Sequence, residues 1–239
     1  MLSIKLKVLP FLSRKVIWYS DKPTPWHCLT TVYKQSDYHK NLFGFKKELF
    51  HTKIIDLTEN ISDIQNAFDK NTNYEIRRAL KDGVTTSVGE DINAFLLFYN
   101  KFSETKKLPK LRYQNLKGYQ SNLLITKASY DDVDIVMHSY VIDINSKRAR
   151  LLHSASLFRN EDGANVRAII GRANRLLHFK DIEYFKELGF ETYDLGGYSI
   201  DVKNETMVKI NQFKSSFGGQ LKKENDYIPY LMVWLSKLF

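Results

Sequence analysis

The chain has 239 residues, 43% of them hydrophobic, and its 36 Lys plus Arg against 27 Asp plus Glu leave a formal charge of +9. This length and apolar content exclude global disorder and collagen-like order and leave room for one large domain or two small ones. Cys28 is the single cysteine, which excludes an intramolecular disulfide and a cysteine-held zinc and fits a reducing, cytoplasmic setting.

Such a charge suits anionic partners, among them nucleic acid, phosphorylated carbohydrate, coenzyme A, an acidic carrier protein or an anionic membrane; it equally serves solubility as a solvated face. No run of about 18 apolar residues occurs, so any membrane contact is expected to be peripheral. From Met1 to Pro10, Leu2, Ile4, Leu6 and Val8 alternate with Ser3, Lys5 and Lys7. That is the period of a half-buried strand rather than the apolar block of a signal peptide. Residues 15–56 are rich in Trp, Tyr, Phe and Lys, with turn signals at Asp21-Lys22-Pro23 and Ser36-Asp37, and read as several strands and loops.

At Ile61 the period changes: Ile61, Ile64, Phe68, Ile76, Ala79 and Leu80 recur at helical spacing, with Asn60 as N-cap and Gly83 as the stop. Val84–Val88 reads as a short strand. Asp91 then caps a helix carrying Ile92, Phe95, Leu96, Tyr99 and Phe102, with Pro109 beyond its end. Leu123–Ser129, Asp134–Asp143 and Arg148–Leu157 read as strands. The last two are expected to form an antiparallel hairpin through Ile144-Asn145-Ser146-Lys147 at the centre of the sheet.

A long helix from about Asn165 to Leu188 follows, ended by Gly189, and then a strand over Thr192–Leu195. A helix from about Glu205 to Phe217, closed by Gly218-Gly219, and strands around Leu221 and Tyr230 complete the pattern. Hairpins beside long helices predict an α/β fold with a mixed, mostly antiparallel sheet flanked by helices. No repeat or linker appears. The expected organisation is an N-terminal β-rich portion, 1–53, packed on a main domain, 54–239.

Three separated stretches resemble the Fem family of nonribosomal peptidyltransferases, whose members contain GNAT-type domains. The first is Ile55-Asp56-Leu57-Thr58 with Glu75-Ile76-Arg77-Arg78-Ala79-Leu80-Lys81-Asp82-Gly83-Val84. The second is Leu176-Leu177-His178-Phe179, continuing through Lys186-Glu187-Leu188-Gly189-Phe190 to Tyr193-Asp194-Leu195-Gly196-Gly197. The third, Phe213-Lys214-Ser215-Ser216-Phe217-Gly218-Gly219, is similar to a hallmark near the end of the family's second domain. Members that build peptidoglycan bridges have two such domains, and some insert a helical hairpin; this chain has room for one full domain and shows no charged heptad stretch for the hairpin.

The resemblance implies a GNAT-like acyltransferase. Its expected reaction moves an acyl group from acyl-CoA or an acyl carrier protein to the amine of an amino sugar, free or nucleotide-linked, or of an amino acid. The alternative is an aminoacyl-tRNA-dependent transferase acting on a cell-wall or lipid acceptor, which would connect the chain to the cell envelope. A non-catalytic nucleic-acid-binding protein is the third reading, drawn from +9 and 13% aromatic residues.

Acyl transfer to an amine needs a neutral nucleophile, a stabilised oxyanion and a well-placed donor, without a covalent enzyme intermediate. That agrees with the lack of a persuasive Ser-His-Asp or Cys-His grouping; Cys28 reads as a packed thiol. GNAT enzymes seat a pyrophosphate on amides at a helix start, a place that falls here on Arg159–Ala173, where Gly171-Arg172-Ala173 matches half of the usual motif and Arg167 and Arg172 supply cations. Gly171 is otherwise a helix-packing glycine and the arginines solvated.

His138 and His153, on the hairpin, are candidate bases or packed histidines. Asp194, at a strand end, is a candidate for orienting the amine or taking its proton, or else it holds the following glycine turn. Tyr198 is a candidate proton donor to a departing thiolate. Arg77, Arg78 and Lys81 form a basic helix face.

The resemblance places Phe213 and Lys214 at the reacting end of the donor. Helical spacing projects the two on different faces, so they cannot both be core: if Phe213 faces the sheet with Ile210 and Phe217, Lys214 turns to a cleft or solvent, as an oxyanion stabiliser or as a solvated lysine. The six histidines form no H-x-x-x-H or H-E-x-x-H pair, so no metal is expected.

Overall fold

The computed structural model describes residues 1–9, 12–157 and 163–235. Its strands are β1 (Leu2–Leu9), β2 (Leu12–Trp18), β3 (Thr31–Ser36), β4 (Phe45–Asp56), β5 (Thr85–Gly89), β6 (Leu123–Tyr130), β7 (Val133–Asp143), β8 (Arg148–Ser156), β9 (Thr192–Gly197) and β10 (Gln220–Pro229). The α-helices are α1 (Ile61–Asn66), α2 (Lys70–Lys81), α3 (Ile92–Lys106), α4 (Tyr113–Lys117), α5 (Ala164–Glu187), α6 (Glu205–Ser215) and α7 (Tyr230–Leu235). All ten strands join one sheet in the order β1-β2-β3-β10-β4-β9-β8-β7-β6-β5. Only β2–β3 and β8–β9 pair in parallel, so the expected mixed, mostly antiparallel α/β sheet is what forms.

The hairpin β7–β8 is interior, but it is not the midpoint as expected. The middle of the sheet falls between β4 and β9, because β1–β3 and β10 extend it beyond β4. The helical run from Ile61 is two helices. Asp69 interrupts it, its carboxylate accepting the Thr72 amide at 2.5 Å as the N-cap of α2. Asn60 occupies the N-cap position of α1 without a side-chain cap bond. Asp91 caps α3 as expected, accepting the amides of Asn93 and Ala94. Tyr230 begins α7 rather than a strand.

The Gly218-Gly219 turn between α6 and β10 has φ of +68° and +72°. A Cβ on Gly218 would lie 2.8 Å from the Ala67 carbonyl oxygen, and one on Gly219 would collide with that of Ile54, so side chains are excluded here. This turn carries the chain from α6 into β10.

Residues Ile135–Val141 of β7 are all buried, so helices cover the sheet on both sides there. α5 packs on the face that carries His138 and Tyr140, and α3 on the face that carries Ser139 and His153.

Candidate active site

The site begins with a defect in strand pairing. β8 and β9 pair only from Arg148↔Thr192 to Arg150↔Asp194, although both continue to Ser156 and Gly197. At the same level the β7–β8 register slips, from Ser139↔His153 to Tyr140↔Leu151, leaving Leu152 as an extra residue in β8. A bulge of this kind bends its strand and re-aims side chains. The two strands diverge, and a cavity of 620 Å³ opens among β8, β9, α5, α6 and the end of α3.

Five cations line this cavity, Lys106, Arg150, Arg175, Lys209 and Lys214, and among the described residues no carboxylate does. Arg150 lies over the rings of Trp18 and Phe50, at 5.0 and 5.8 Å, and Arg175 over Phe213 at 5.2 Å. Each spends a donor on a backbone carbonyl, Leu151 or Gly171, while its Nε is buried without a hydrogen-bond partner among the described residues. Guanidinium groups fixed this way present charge and donors that an incoming anion can satisfy.

Lys214 reaches from α6 to the glycine turn after β9, where its ammonium donates to the Gly197 carbonyl. Burial, reinforced by the neighbouring Arg150, pulls this lysine down to about 8. Gly196 has φ +76°, and a Cβ there would meet the Leu151 carbonyl at 3.1 Å, so the close approach of β9 to β8 needs glycine. Phe213 also borders the cavity, its ring tilted against His178 and edge-on to Phe217. Phe213 and Lys214, neighbours about 100° apart on the helix, flank the same cleft from two sides, and neither is fully buried. Ile210, expected against the sheet, is 40% exposed and lines the cleft as well.

His178, on the cavity wall, opens a buried chain of hydrogen bonds. Its Nδ1 lies 2.6 Å from the Tyr193 hydroxyl, which lies 2.8 Å from that of Tyr140. Tyr140 donates to Asp181 at 2.5 Å. The directions follow from the end of the chain: a carboxylate only accepts, so Tyr140 receives from Tyr193, and Tyr193 receives from His178 Nδ1–H. Burial, with His138 close by, holds His178 well below the ordinary histidine value, so its ring is neutral with the lone pair on Nε2. His138 shares Asp181 at 2.8 Å and meets the side-chain amide of Asn174, another cavity residue, at 2.9 Å.

The donor atoms of His138, His178 and Asp181 all lie within 4.8 Å of one another. Histidines scattered in sequence are thus gathered in space, in a set whose hydrogen bonds are made within the protein.

The other sequence candidates are placed as follows. His153 sits on the opposite sheet face from His138, bonded to Ser139 at 2.8 Å, and burial, reinforced by Arg150, lowers it to about 4. Asp194 is fully buried and does not border the cavity. It accepts from Arg148, Gln35 and Thr52 and from the Gly196 amide, the last at 2.7 Å, which fits the turn-holding alternative. Burial works against its charge, but Arg148 keeps its carboxyl below the usual range.

Tyr198 points to the far side of the turn, its hydroxyl 3.2 Å from Ser215 and outside the cavity lining. Arg172 turns to α2, paired with Glu75 at 3.2 Å and with Asp82, and is neither a cavity cation nor solvated. Arg167 is likewise outside the cavity lining, and Arg159 lies outside the described residues. Gly171 lines the cavity with nothing within 4 Å of a Cβ built on it, so it is not a packing glycine. Its segment lies inside α5, where amides are committed to the helix ladder, not at the helix start where an anion would be cradled.

Sequence reasoning passed over Arg150, Asn174, Arg175 and His178 as site residues. A signal existed for three of them: Gly171, Asn174, Arg175 and His178 fall at spacings of three and four, on one stripe of the helix.

No family model and no curated protein matches the chain in sequence. Solved structures do match in shape. FemX superposes with a TM-score of 0.66 at 12% identity, over 96% of this chain and 85% of that one. The C-terminal domain (DUF2156) of a putative lysylphosphatidylglycerol synthetase from Agrobacterium fabrum gives 0.62 at 12% identity, over 100% and 86%. L-PGS from Bacillus licheniformis gives 0.59 at 13% identity, over 99% and 85%. The fold of this chain is therefore the Fem type, shared with FemX and the lysylphosphatidylglycerol synthetase domains.

Proposed function

We propose that the chain is an acyl- or aminoacyl-group transferase that holds the phosphate-bearing carrier of its donor in the cationic cleft and joins the carried group to an amine. The observation that carries this reading is the cleft itself: five cations and, among the described residues, no carboxylate around a splayed strand pair, with Lys214 held at Gly197. In the proposed reaction the amine nitrogen attacks the acyl carbon, and the carbonyl oxygen becomes an oxyanion that accepts from the Lys214 ammonium. His178 Nε2 takes the proton from nitrogen. The bond from acyl carbon to carrier then breaks, and the same proton passes to the departing oxygen or sulfur. Asp181 and the two tyrosines orient the imidazole.

For the donor, an aminoacyl ester on tRNA is the reading we favour. FemX and lysylphosphatidylglycerol synthetases match over almost the whole chain, and the half-motif at Gly171 sits where helix amides are already bonded. The second reading keeps acyl-CoA or an acyl carrier protein as donor, with the amino sugar or amino acid as acceptor. It is supported by the first turn of α5, whose amides lack helical partners and lie just past β8.

Filter binding and transfer assays with charged tRNA, uncharged tRNA, acyl-CoA and acyl carrier protein separate the two. Retention of charged over uncharged tRNA, weakening steeply with salt and lost in Arg150→Gln/Arg175→Gln, is expected. Transfer from a thioester alone selects the second reading. Absence of transfer and of specific binding with all four overturns the proposal.

A further inference from the structure

Away from the cleft, one end of the sheet carries a cluster of exposed aromatic side chains that the transferase reading does not use. Trp26 is 90% exposed and Phe43 87%, with Leu29, Tyr230, Leu231 and Trp234 also exposed around them. They come from three segments tied together at their bases. The Tyr230 amide donates to the Gly44 carbonyl at 3.1 Å, and Gly44 packs against Cys28, two residues beyond Trp26. Beneath them the rings of His27, Tyr33, Phe45 and Tyr227 pack in a continuous row, His27 stacked on Tyr33 and Phe45 edge-on to Tyr227.

Large apolar side chains this exposed do not enclose a small molecule, and contiguous exposed apolar surface marks a docking face. Residue type narrows the occupant. Two tryptophans and a tyrosine, with exposed Lys22 and Lys40 four and three residues from Trp26 and Phe43, are the side chains that settle at the headgroup level of a bilayer. The chain's charge of +9 complements an anionic leaflet.

Topology adds direction. β9 runs antiparallel to β4 with Gly197 opposite Thr52, so β8 and β9 end toward the Phe45 end of β4. The C-terminal ends of β8 and β9, which border the cleft, thus point toward the end of the sheet that carries the aromatic tips, with Gly197 and Phe45 separated along β4 by roughly 23 Å.

We propose that this aromatic end is a peripheral docking surface for an anionic lipid bilayer, which points the C-terminal ends of β8 and β9, at the cleft, toward the membrane. The docking does not depend on the transferase reading; the use of it to reach a membrane-borne acceptor does. Flotation of the full chain with phosphatidylcholine vesicles, with and without phosphatidylglycerol, tests it. Binding only when phosphatidylglycerol is present, with a blue shift of tryptophan emission, is expected. Trp26→Ser/Phe43→Ser should weaken that binding by about tenfold or more, and Lys22→Glu/Lys40→Glu should reduce it further as salt does. These positions are exposed, so the circular-dichroism spectrum, the melting temperature and transfer to a soluble acceptor should stay unchanged. Equal vesicle binding by wild type and Trp26→Ser/Phe43→Ser overturns the proposal. So does absence of vesicle binding together with a dimer that the same substitutions dissolve, which would give the surface to a second copy.

Discussion

Arg148 and Arg150 stand two residues apart on β8, yet their surroundings are opposite. Arg148 is buried between Asp194 and Glu224, at 2.6 Å from each, with the Tyr19 ring 4.4 Å away. Gln35 bridges both carboxylates and Thr52 bonds Asp194, so this cluster ties together β3, β10, β4, β9 and β8, five consecutive strands. Arg150 rests on aromatic rings at the cavity and, among the described residues, makes no ion pair. A buried charge with its full set of partners spends its electrostatics on the fold, whereas a cation left without one retains its attraction for a ligand. The contrast separates which charges hold the sheet from which serve chemistry.

The largest effect is expected from breaking the compensated side. Arg148→Met strands the buried Asp194 carboxylate without its ion-pair partner and should cost about 3–5 kcal/mol, read as a lower urea midpoint; Asp194→Ala, which leaves Arg148 paired with Glu224, should lower it less. If Asp194→Ala unfolds like wild type yet no longer transfers, the cluster serves the reaction and the contrast fails.

On the uncompensated side, Lys214→Met should leave unfolding unchanged and lower turnover by about 10²–10³, equivalent to about 2.7–4 kcal/mol for one oxyanion donor. Lys214→Arg should restore little, because a planar fork does not replace one compact charge. The ammonium is the active form, so wild-type turnover should fall as pH rises through about 8. A rate that is flat from neutral pH to well above that value removes Lys214 from the mechanism.

A pH titration of stability sharpens the comparison at His153, which lies on neither side of it. The unfolded ring protonates near 6.5 while the folded ring stays neutral down to about 4. Between those values the unfolded state binds more protons, so stability is present above 6.5 and is lost as pH falls through the window, by up to about 3 kcal/mol. His153→Gln should flatten that slope in acid denaturation.

The smallest effect is expected at Gly171, where the cavity wall has space for a methyl group. Gly171→Ala should stabilise α5 by about 0.5–1 kcal/mol, measured by thermal unfolding. A donor packed against this wall should bind more weakly to the same variant.

Elements and turns were legible in the sequence where the signal is local. The alternation Leu2-Ile4-Leu6, the cap at Asp91, the stop at Gly189 and the hairpin at Ile144–Lys147 each depend on a few adjacent residues and a known period. The break at Asp69 was harder, because apolar spacing continues across it. Site membership was mostly illegible: His138 and His153 lie on the same hairpin, and only the register Ser139↔His153 shows that they occupy opposite faces.

The sequence by itself determined the mixed α/β plan, the positions of the long helix and the glycine turns, and the placing of Lys214 near the end of a helix, because period, caps and φ requirements act within a few residues. Tertiary structure alone decided that Asp194 is enclosed by Arg148 and Thr52, that Arg172 turns to α2, and that Arg150, Arg175, His178 and Lys214 converge. Those outcomes depend on which strands pair and where β8 leaves β9, and burial and charge at each side chain are set by residues far away in the chain.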